Sequence, residues 1–487
     1  MAPPLKVAVI GAGVAGLATA RALKREGQQV VVYEKLNQVG GLWIYEPQVE
    51  SDPLSLDPDR EIVHGSVYQS LHTNLPMRLM GFSDYPFAIR KNVVQVELVD
   101  SRNHRWVVES RTKYLSSNTK EVFDAVVVCN GHHTQPNVAY IQGIEKWPGK
   151  QIHSHNYRVP EPFKDRIVVV IGDGPTGKDV SLEISKVAKE VHLSSRSPNV
   201  KICKLDCADN MWQHSKIDHV KENGEVAFED DAYVRADIIL HCTGFKYDFP
   251  ILKTEGIVTV DDNRVGPVYK HIFSPELAPS LSFVGLTFHS LIFLMMDLQA
   301  NWVARVLSGT ASLPSKEDML AEVQQHYQHM EYTGIPKHYT HDLGYKFDYL
   351  DWLANQVGLG EPDEQLKLIL KSYSKFIIDD NGYLRRREWE LGYGLQEEEL
   401  LLIQSDLEKA NFEFHFLKQF DYLDWMANQV GLQGVDEQVK LIRKSYFKFV
   451  GDNGDWRHRE WELVYGLQEE ELLLLQSGLE RVKLDET

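Results

Sequence analysis

The chain has 487 residues, enough for about two to four domains that each bury a core of their own. Hydrophobic residues make up 43% of it and only four residues are cysteine, which excludes a disordered chain and a disulfide-stapled secreted one. The formal charge of −18 argues against a general nucleic-acid-binding or anionic-membrane surface.

The N-terminal third reads as the opening of a parallel sheet, followed by a hairpin. An apolar run, a segment of helical character and a second apolar run predict a strand, a helix and a strand in succession. Alternating residues around a polar turn predict the hairpin, and a later apolar run predicts another buried strand. In chain order these elements cover residues 5–10, 17–24, 30–33, 93–98 with 106–109, and 123–129.

Gly11, Gly13 and Gly16 fall between the first strand and the first helix, in the spacing of a dinucleotide-binding turn. The first glycine permits the tight turn, the second lets a pyrophosphate approach the backbone, and the third lets helix and strand pack closely. Glu34 ends the next strand, where a carboxylate can accept hydrogen bonds from ribose hydroxyls. This context favours a dinucleotide site over chance glycines.

The middle of the chain repeats this arrangement. Gly172, Gly174 and Gly177 again follow an apolar run, and Arg196 stands near the end of the second strand instead of an acid. A guanidinium there suits a 2′-phosphate, which favours NADP over NAD. Asp173 lies within this turn and Lys178 directly follows it. Their opposite charges partly offset each other, and the sequence assigns no role to either. The strands predicted here are 167–171, 191–193, 236–240 and 281–284. A helix is predicted after the glycine turn through residue 186, and another at 298–307.

The last third is a tandem duplication. Residues 347–359 recur almost unchanged at 420–432, which predicts two copies of a helical tail segment. Residues 347–487 hold 16 Lys and Arg against 29 Asp and Glu, so most of the acidity belongs to this tail.

Two dinucleotide sites with opposite charges at the discriminating position predict FAD and NADPH, and therefore hydride transfer from nicotinamide to flavin. A disulfide reductase would need a closely spaced cysteine pair on the flavin domain. Cys203 and Cys207 lie beyond the second glycine turn and are read as structural, and their spacing supports no metal site.

Further motifs resemble the flavin-containing monooxygenase family, in wording similar to its plant S-oxygenating, glucosinolate S-oxygenase-like branch. One segment resembles the family's identifying sequence, and the resemblance extends over roughly residues 5–410. The other shared motifs are a GGLW segment, a segment with a Thr-Asn pair and a strand end of the A-T-G-Y type. These motifs are Trp147–Tyr157, Gly40–Trp43, Tyr68–Pro76 and His241–Phe245.

The resemblance implies an α/β, two-dinucleotide-binding (Rossmann-like) fold with an NADPH domain inserted in an FAD domain. The expected divisions are 1–162 and 281–346 for the FAD domain, 163–280 for the NADPH domain, and tail copies at 347–410 and 411–487. The family usually carries some tens of residues more near residue 91, so a segment of the FAD domain is expected to be missing there.

The activity that the resemblance implies is oxygenation of a soft nucleophile by a C4a-hydroperoxyflavin. The substrate expected is a thioether such as a methylthioalkyl glucosinolate-like compound, converted to a sulfoxide with O2 and NADPH. An N-oxygenating or indole-pyruvate-type enzyme and a non-catalytic nucleotide-binding homologue stay open as alternatives. The resemblance adds Gly41, Leu42, Trp43 and Thr73 to the cofactor site, and Asn74 to both the cofactor site and catalysis.

No signal peptide or apolar run long enough to span a membrane is visible in the sequence, so a cytoplasmic protein is expected. The expected partners are therefore small molecules, with no nucleic acid and no metal among them. The sequence does not give the oligomeric state.

Overall fold

A computed structural model describes the chain over most of its first 358 residues. Within that part the architecture is mixed α/β, and it is built around two largely parallel sheets. The described residues are 3–36, 38–71, 92–100, 105–111, 118–197, 200, 202–344 and 346–358.

Most strands are short, and those at the centres of the two large sheets are runs of valine and isoleucine. Such runs are typical of parallel strands that are buried on both faces. In chain order the strands are β1 (Lys6–Ile10), β2 (Gln29–Tyr33), β3 (Asn92–Asp100), β4 (Arg105–Arg111), β5 (Asn118–Phe123), β6 (Ala125–Val128), β7 (Gln135–Pro136), β8 (Lys150–His153), β9 (Ile167–Ile171), β10 (Glu190–Ser194), β11 (Cys203–Lys204), β12 (Met211–His214), β13 (Ile217–Val220), β14 (Glu225–Phe228), β15 (Tyr233–Arg235), β16 (Ile238–His241), β17 (Phe245–Lys246), β18 (Leu252–Lys253), β19 (Thr259–Asp261), β20 (Arg264–Gly266) and β21 (Leu281–Phe283).

The first parallel sheet has the strand order β2-β1-β6-β21. The second has the order β11-β12-β10-β9-β16-β8, parallel except for the pair β11 and β12. In each sheet the strand before the glycine turn lies inside, between the strand that follows the turn and a later strand. The two turns therefore end equivalent central strands, which is where open parallel sheets bind ligands.

Antiparallel layers accompany these sheets. Strands β3, β4 and β5 form a meander joined by β18, and β13, β14 and β15 form a second meander. The pairing of β3 with β4 confirms the predicted hairpin.

The helices flank the sheets, and α1 packs against α3. Arg21 and Asp297 form a buried ion pair between these two helices at 3.2 Å. None of the helices in the described part has the length and apolarity that crossing a bilayer requires. The helices are α1 (Val14–Arg25), α2 (Pro175–Ile184), α3 (Ile292–Ser308), α4 (Lys316–Tyr332) and α5 (Asp348–Gln356).

The first tail copy begins as helix α5. Its Leu350 and Leu353 are fully buried in the same hydrophobic core as α1 and α3. The rest of the tail, with the whole second copy, lies outside the described residues. So do residues 72–91, next to which the FAD domain is predicted to lack a segment.

Several predicted element bounds were wrong. The strand predicted at 123–129 is divided, because Asp124 leaves the ladder and its carboxylate accepts the Lys6 N–H at 2.8 Å. The helix predicted at 298–307 is α3, which begins at Ile292 because the preceding apolar run forms its first turns. The helix predicted through 186 ends at Ile184, and the strand predicted at 236–240 is β16.

The predicted domain divisions stay predictions. The second sheet includes β8, whose residues precede the predicted boundary at 162. It thus draws strands from both sides of that boundary.

Candidate functional site

The first glycine turn cannot accept a side chain at two of its glycines. Gly11 has φ +103°, and a Cβ there would lie 2.5 Å from the Cys129 carbonyl oxygen. A Cβ on Gly16 would lie 1.9 Å from the Gly11 carbonyl oxygen. The turn therefore needs glycine at both places to bring helix α1 against the end of β1.

Glu34 closes this turn from the end of β2. Its Oε2 accepts the Ala12 N–H at 2.6 Å, and its Oε1 accepts the Leu36 N–H at 2.9 Å. The side chain is buried, and burial raises the pKa of the Glu34 carboxyl above its usual value. The carboxylate thus lies at the corner between the turn and the second strand, where an adenosine ribose is held in dinucleotide folds.

The GGLW segment covers the first turn. Gly41 has φ +57°, and a Cβ there would lie 2.8 Å from the Gly13 Cα. The backbones of the two glycines are therefore in close contact, with no room for a side chain on Gly41. Leu42 is exposed, and the Trp43 ring lies 6.0 Å from the Phe293 ring of α3. The structure therefore brings this segment to the first turn. Thr73 and Asn74 lie outside the described residues.

The second turn repeats the geometry of the first. Gly172 has φ +102°, and a Cβ there would lie 2.5 Å from the Cys242 carbonyl oxygen. A Cβ on Gly177 would lie 1.7 Å from the Gly172 carbonyl oxygen. At Gly174, by contrast, the described residues place no atom within 4 Å of such a Cβ.

Arg196 is exposed and follows the end of β10. The residue before it, Ser195, is buried, and its hydroxyl donates to Asp173 Oδ2 at 2.7 Å. The same hydroxyl oxygen accepts the Ser197 N–H at 3.1 Å. Sequence reasoning assigned no role to Asp173, although its place between two turn glycines was a usable signal.

Both turns fit a dinucleotide diphosphate. Gly13 caps helix α1 and Gly174 caps helix α2, so the capping residue itself places no side chain before either helix. Neither helix has an acid in its first turn. Uncapped backbone N–H groups at the positive end of a helix are suited to bind phosphate oxygens.

A buried polar network joins the identifying-sequence segment to residues 46–66. Glu50 accepts hydrogen bonds from Arg60 Nε at 2.6 Å and contacts His155 Nε2 at 3.2 Å. Burial raises the pKa of Glu50, but hydrogen bonds from His155, Ser55 and Arg60 outweigh it and lower that pKa to about 2. The Arg158 guanidinium donates to five backbone carbonyls, those of Glu46, Gln48, Gly65, His155 and Tyr157.

His153 fits a structural role within this motif. It is fully buried, and its Nδ1 accepts the His155 N–H at 3.1 Å. Burial, with the nearby His241 and His155, lowers the pKa of His153 to about 3, so the ring is neutral at ordinary pH. Its backbone N–H donates to the Pro53 carbonyl at 2.9 Å, which ties β8 to the segment of residues 46–66.

The four cysteines are free thiols. The described residues contain no group of three or more His, Cys, Asp or Glu side chains that could hold a metal ion.

Comparison with known sequences finds flavin-containing monooxygenases. The profile of the FMO-like, flavin-binding monooxygenase-like family matches residues 4–95, 92–206 and 207–374. Flavin-containing monooxygenase FMO GS-OX5 of Arabidopsis thaliana is 49% identical over 398 residues, which cover 74% of this chain and 86% of that protein. FMO GS-OX-like 3 of the same plant is 47% identical over 412 residues, covering 75% and 92%.

Solved structures agree. S-allyl-L-cysteine S-oxygenase from Allium sativum is 43% identical with a TM-score of 0.76, over 84% of this chain and 99% of that one. Tmm from Pelagibacter is 23% identical with a TM-score of 0.65, over 78% and 93%, a likeness of fold alone. The two-dinucleotide-binding fold expected from the sequence is confirmed.

Proposed function

The chain belongs to the flavin-binding monooxygenase-like family, and on that premise we propose that it oxygenates a thioether to a sulfoxide. The net reaction consumes one thioether, O2, NADPH and a proton. It yields the sulfoxide, NADP⁺ and water, so one oxygen atom of O2 enters the product and the other leaves as water.

The observation that carries the proposal is the pair of equivalent glycine turns with different polar groups beside them. Glu34 at the first turn is suited to the ribose hydroxyls of FAD, and Arg196 at the second is suited to the 2′-phosphate of NADPH. Bound flavin supplies the redox chemistry that activates O2, and bound NADPH supplies the hydride that reduces the flavin.

The choice of sulfur rests on the relatives. The S-allyl-L-cysteine S-oxygenase is named for a substrate whose sulfur is a thioether, and this chain covers nearly all of that protein. A thioether sulfur is nucleophilic without losing a proton, so its oxygenation needs no general base. The residues around the two turns fit a role in holding cofactors.

The remaining site residues are proposed on the family likeness. Gly41, Leu42 and Trp43 would flank the FAD at the first turn, and their approach to that turn supports this role. By the same likeness, Thr73 and Asn74 would lie beside the flavin, and the Asn74 amide would help to position the bound nicotinamide or the reacting oxygen. The divisions 1–162 with 281–346 for FAD and 163–280 for NADPH belong to the same proposal.

A labelling experiment tests the function. The purified full chain should be yellow, and it should consume NADPH faster when S-allyl-L-cysteine is added. Under O2 labelled with heavy oxygen, the sulfoxide should carry one labelled atom. A colourless protein that binds no added FAD, or a sulfoxide labelled from water, would contradict the proposal.

A further inference from the structure

The two glycine turns can be aligned residue by residue through their backbone hydrogen bonds. The Gly11 N–H donates to the Tyr33 carbonyl at 2.7 Å, and the Gly172 N–H donates to the Ser194 carbonyl at 2.9 Å. Each bond joins the first glycine to the last residue of the neighbouring strand. The residue after each glycine therefore faces the residue after each strand, at the corner that receives the ribose.

A carboxylate bridges this corner in both sites, but from opposite sides. In the first site Glu34 follows the strand and accepts the Ala12 N–H from the turn at 2.6 Å. In the second site Asp173 belongs to the turn and accepts the hydroxyl of Ser195, which follows the strand, at 2.7 Å. Asp173 takes the place of Ala12, and Ser195 takes the place of Glu34.

We propose that Asp173 is a specificity-determining residue of the second site, one that favours the 2′-hydroxyl of NADH and opposes the 2′-phosphate of NADPH. This inference rests on the proposed function, because it concerns the nicotinamide cofactor at that turn. A carboxylate at the ribose corner accepts hydrogen bonds from free ribose hydroxyls, as in dinucleotide folds that select NAD. The same negative charge repels a phosphate.

Asp173 and Arg196 therefore act against each other. Arg196 is exposed, so water and salt weaken its attraction for a phosphate. Asp173 is half-buried, and the buried Ser195 hydroxyl holds its carboxylate in place. Because the exposed Arg196 attracts a 2′-phosphate and the half-buried Asp173 repels it, the site is expected to bind NADPH and NADH within roughly tenfold of each other.

Binding constants test this inference without turnover. NADP⁺ and NAD⁺ are titrated separately into the purified, FAD-loaded full chain, and each Kd is measured by calorimetry. The Asp173→Asn variant keeps an acceptor for Ser195 but loses the charge. We expect it to bind NADP⁺ roughly tenfold more tightly and NAD⁺ a few-fold more weakly. Arg196→Ala should weaken NADP⁺ and leave NAD⁺ nearly unchanged.

Asp218→Asn is the matched control, since it removes one exposed carboxylate from β13 in the same region. It should leave the ratio of the two Kd values as in the wild type. If the ratio of the two Kd values is unchanged in Asp173→Asn, the inference is overturned while the proposed function stands. Asp173→Ser repeats the test with a shorter side chain. A wild-type chain that binds neither dinucleotide would overturn the proposed function as well.

Discussion

The two glycine turns share one backbone design and differ in how open they are. Their first glycines have nearly the same φ, +103° at Gly11 and +102° at Gly172. Their third glycines, Gly16 and Gly177, both pack so closely that a Cβ would overlap a carbonyl oxygen. The backbone therefore defines a dinucleotide site twice, and the surrounding side chains distinguish the two sites.

Among the residues that the structure describes, the first turn is covered and the second is open. Gly41 approaches Gly13 from outside, and the buried Glu34 closes the corner. At the second turn the space beside Gly174 is free of other described residues, and Arg196 is exposed. A covered site suits a cofactor that stays bound, and an open site suits one that must leave after each turnover. This difference in accessibility supports the proposed placement of FAD at the first turn and NADPH at the second.

The largest expected effect comes from filling the third glycine of either turn. Gly16→Ala should yield a chain that has lost its FAD, because the new Cβ forces helix α1 away from β1. Gly177→Ala should keep its FAD and lose NADP⁺ binding, since only the second turn is disturbed. Flavin absorbance per chain and calorimetry with NADP⁺ measure the two effects. Loss of both cofactors in both variants would contradict the division between the turns.

The next effect concerns the buried polar network around Glu50. Glu50→Gln should lower the free energy of unfolding by roughly 3 kcal/mol at pH 7, because its lowered pKa marks a stabilised charge. A carboxyl group whose pKa is lowered in the folded state stabilises the fold at every pH above its unfolded-state pKa. For Glu50 that contribution disappears as the pH falls from about 5 to about 2. Wild type and Glu50→Gln should therefore converge in acid.

Denaturant unfolding at a series of pH values measures this convergence. Glu61→Gln makes the same chemical change on an exposed side chain of the same segment and is the control. A difference between wild type and Glu50→Gln that stays constant down to about pH 2 would rule out the charged network.

The smallest effect distinguishes loss of phosphate binding at the second turn from loss of stability. Gly174→Ala meets no described atom within 4 Å, so its melting temperature should match that of the wild type. The added methyl group would nevertheless occupy the space that a pyrophosphate needs, and NADP⁺ should bind roughly tenfold more weakly. Unchanged NADP⁺ affinity would show that the phosphate does not approach this glycine.

Much of the fold could be predicted because the information is local. Both glycine turns lie between apolar runs, and the predicted strands beside them agree with β1, β2, β9 and β10. The bounds of α3 could not be predicted in this way. Its first turns are apolar on most sides, and a buried helix lacks the polar face that marks a helical period.

The site was less predictable, because its decisive contacts join residues far apart in the chain. The residue types at Glu34 and Arg196 suggested their roles, whereas the bond between Asp173 and Ser195 spans 22 positions. In the sequence the nearest opposite charge to Asp173 is Lys178, five positions along the chain. In the fold its hydrogen-bond partner is Ser195, which lies across from it because β9 and β10 pair.

The most direct test of the account is reduction without oxygen. NADPH is mixed anaerobically with the purified yellow protein, and the flavin absorbance is followed. If the two turns hold FAD and NADPH for hydride transfer, the colour should bleach, and Gly177→Ala should abolish the bleaching while keeping the flavin. A flavin that stays oxidised in the wild-type chain, although NADPH binds, would contradict the account.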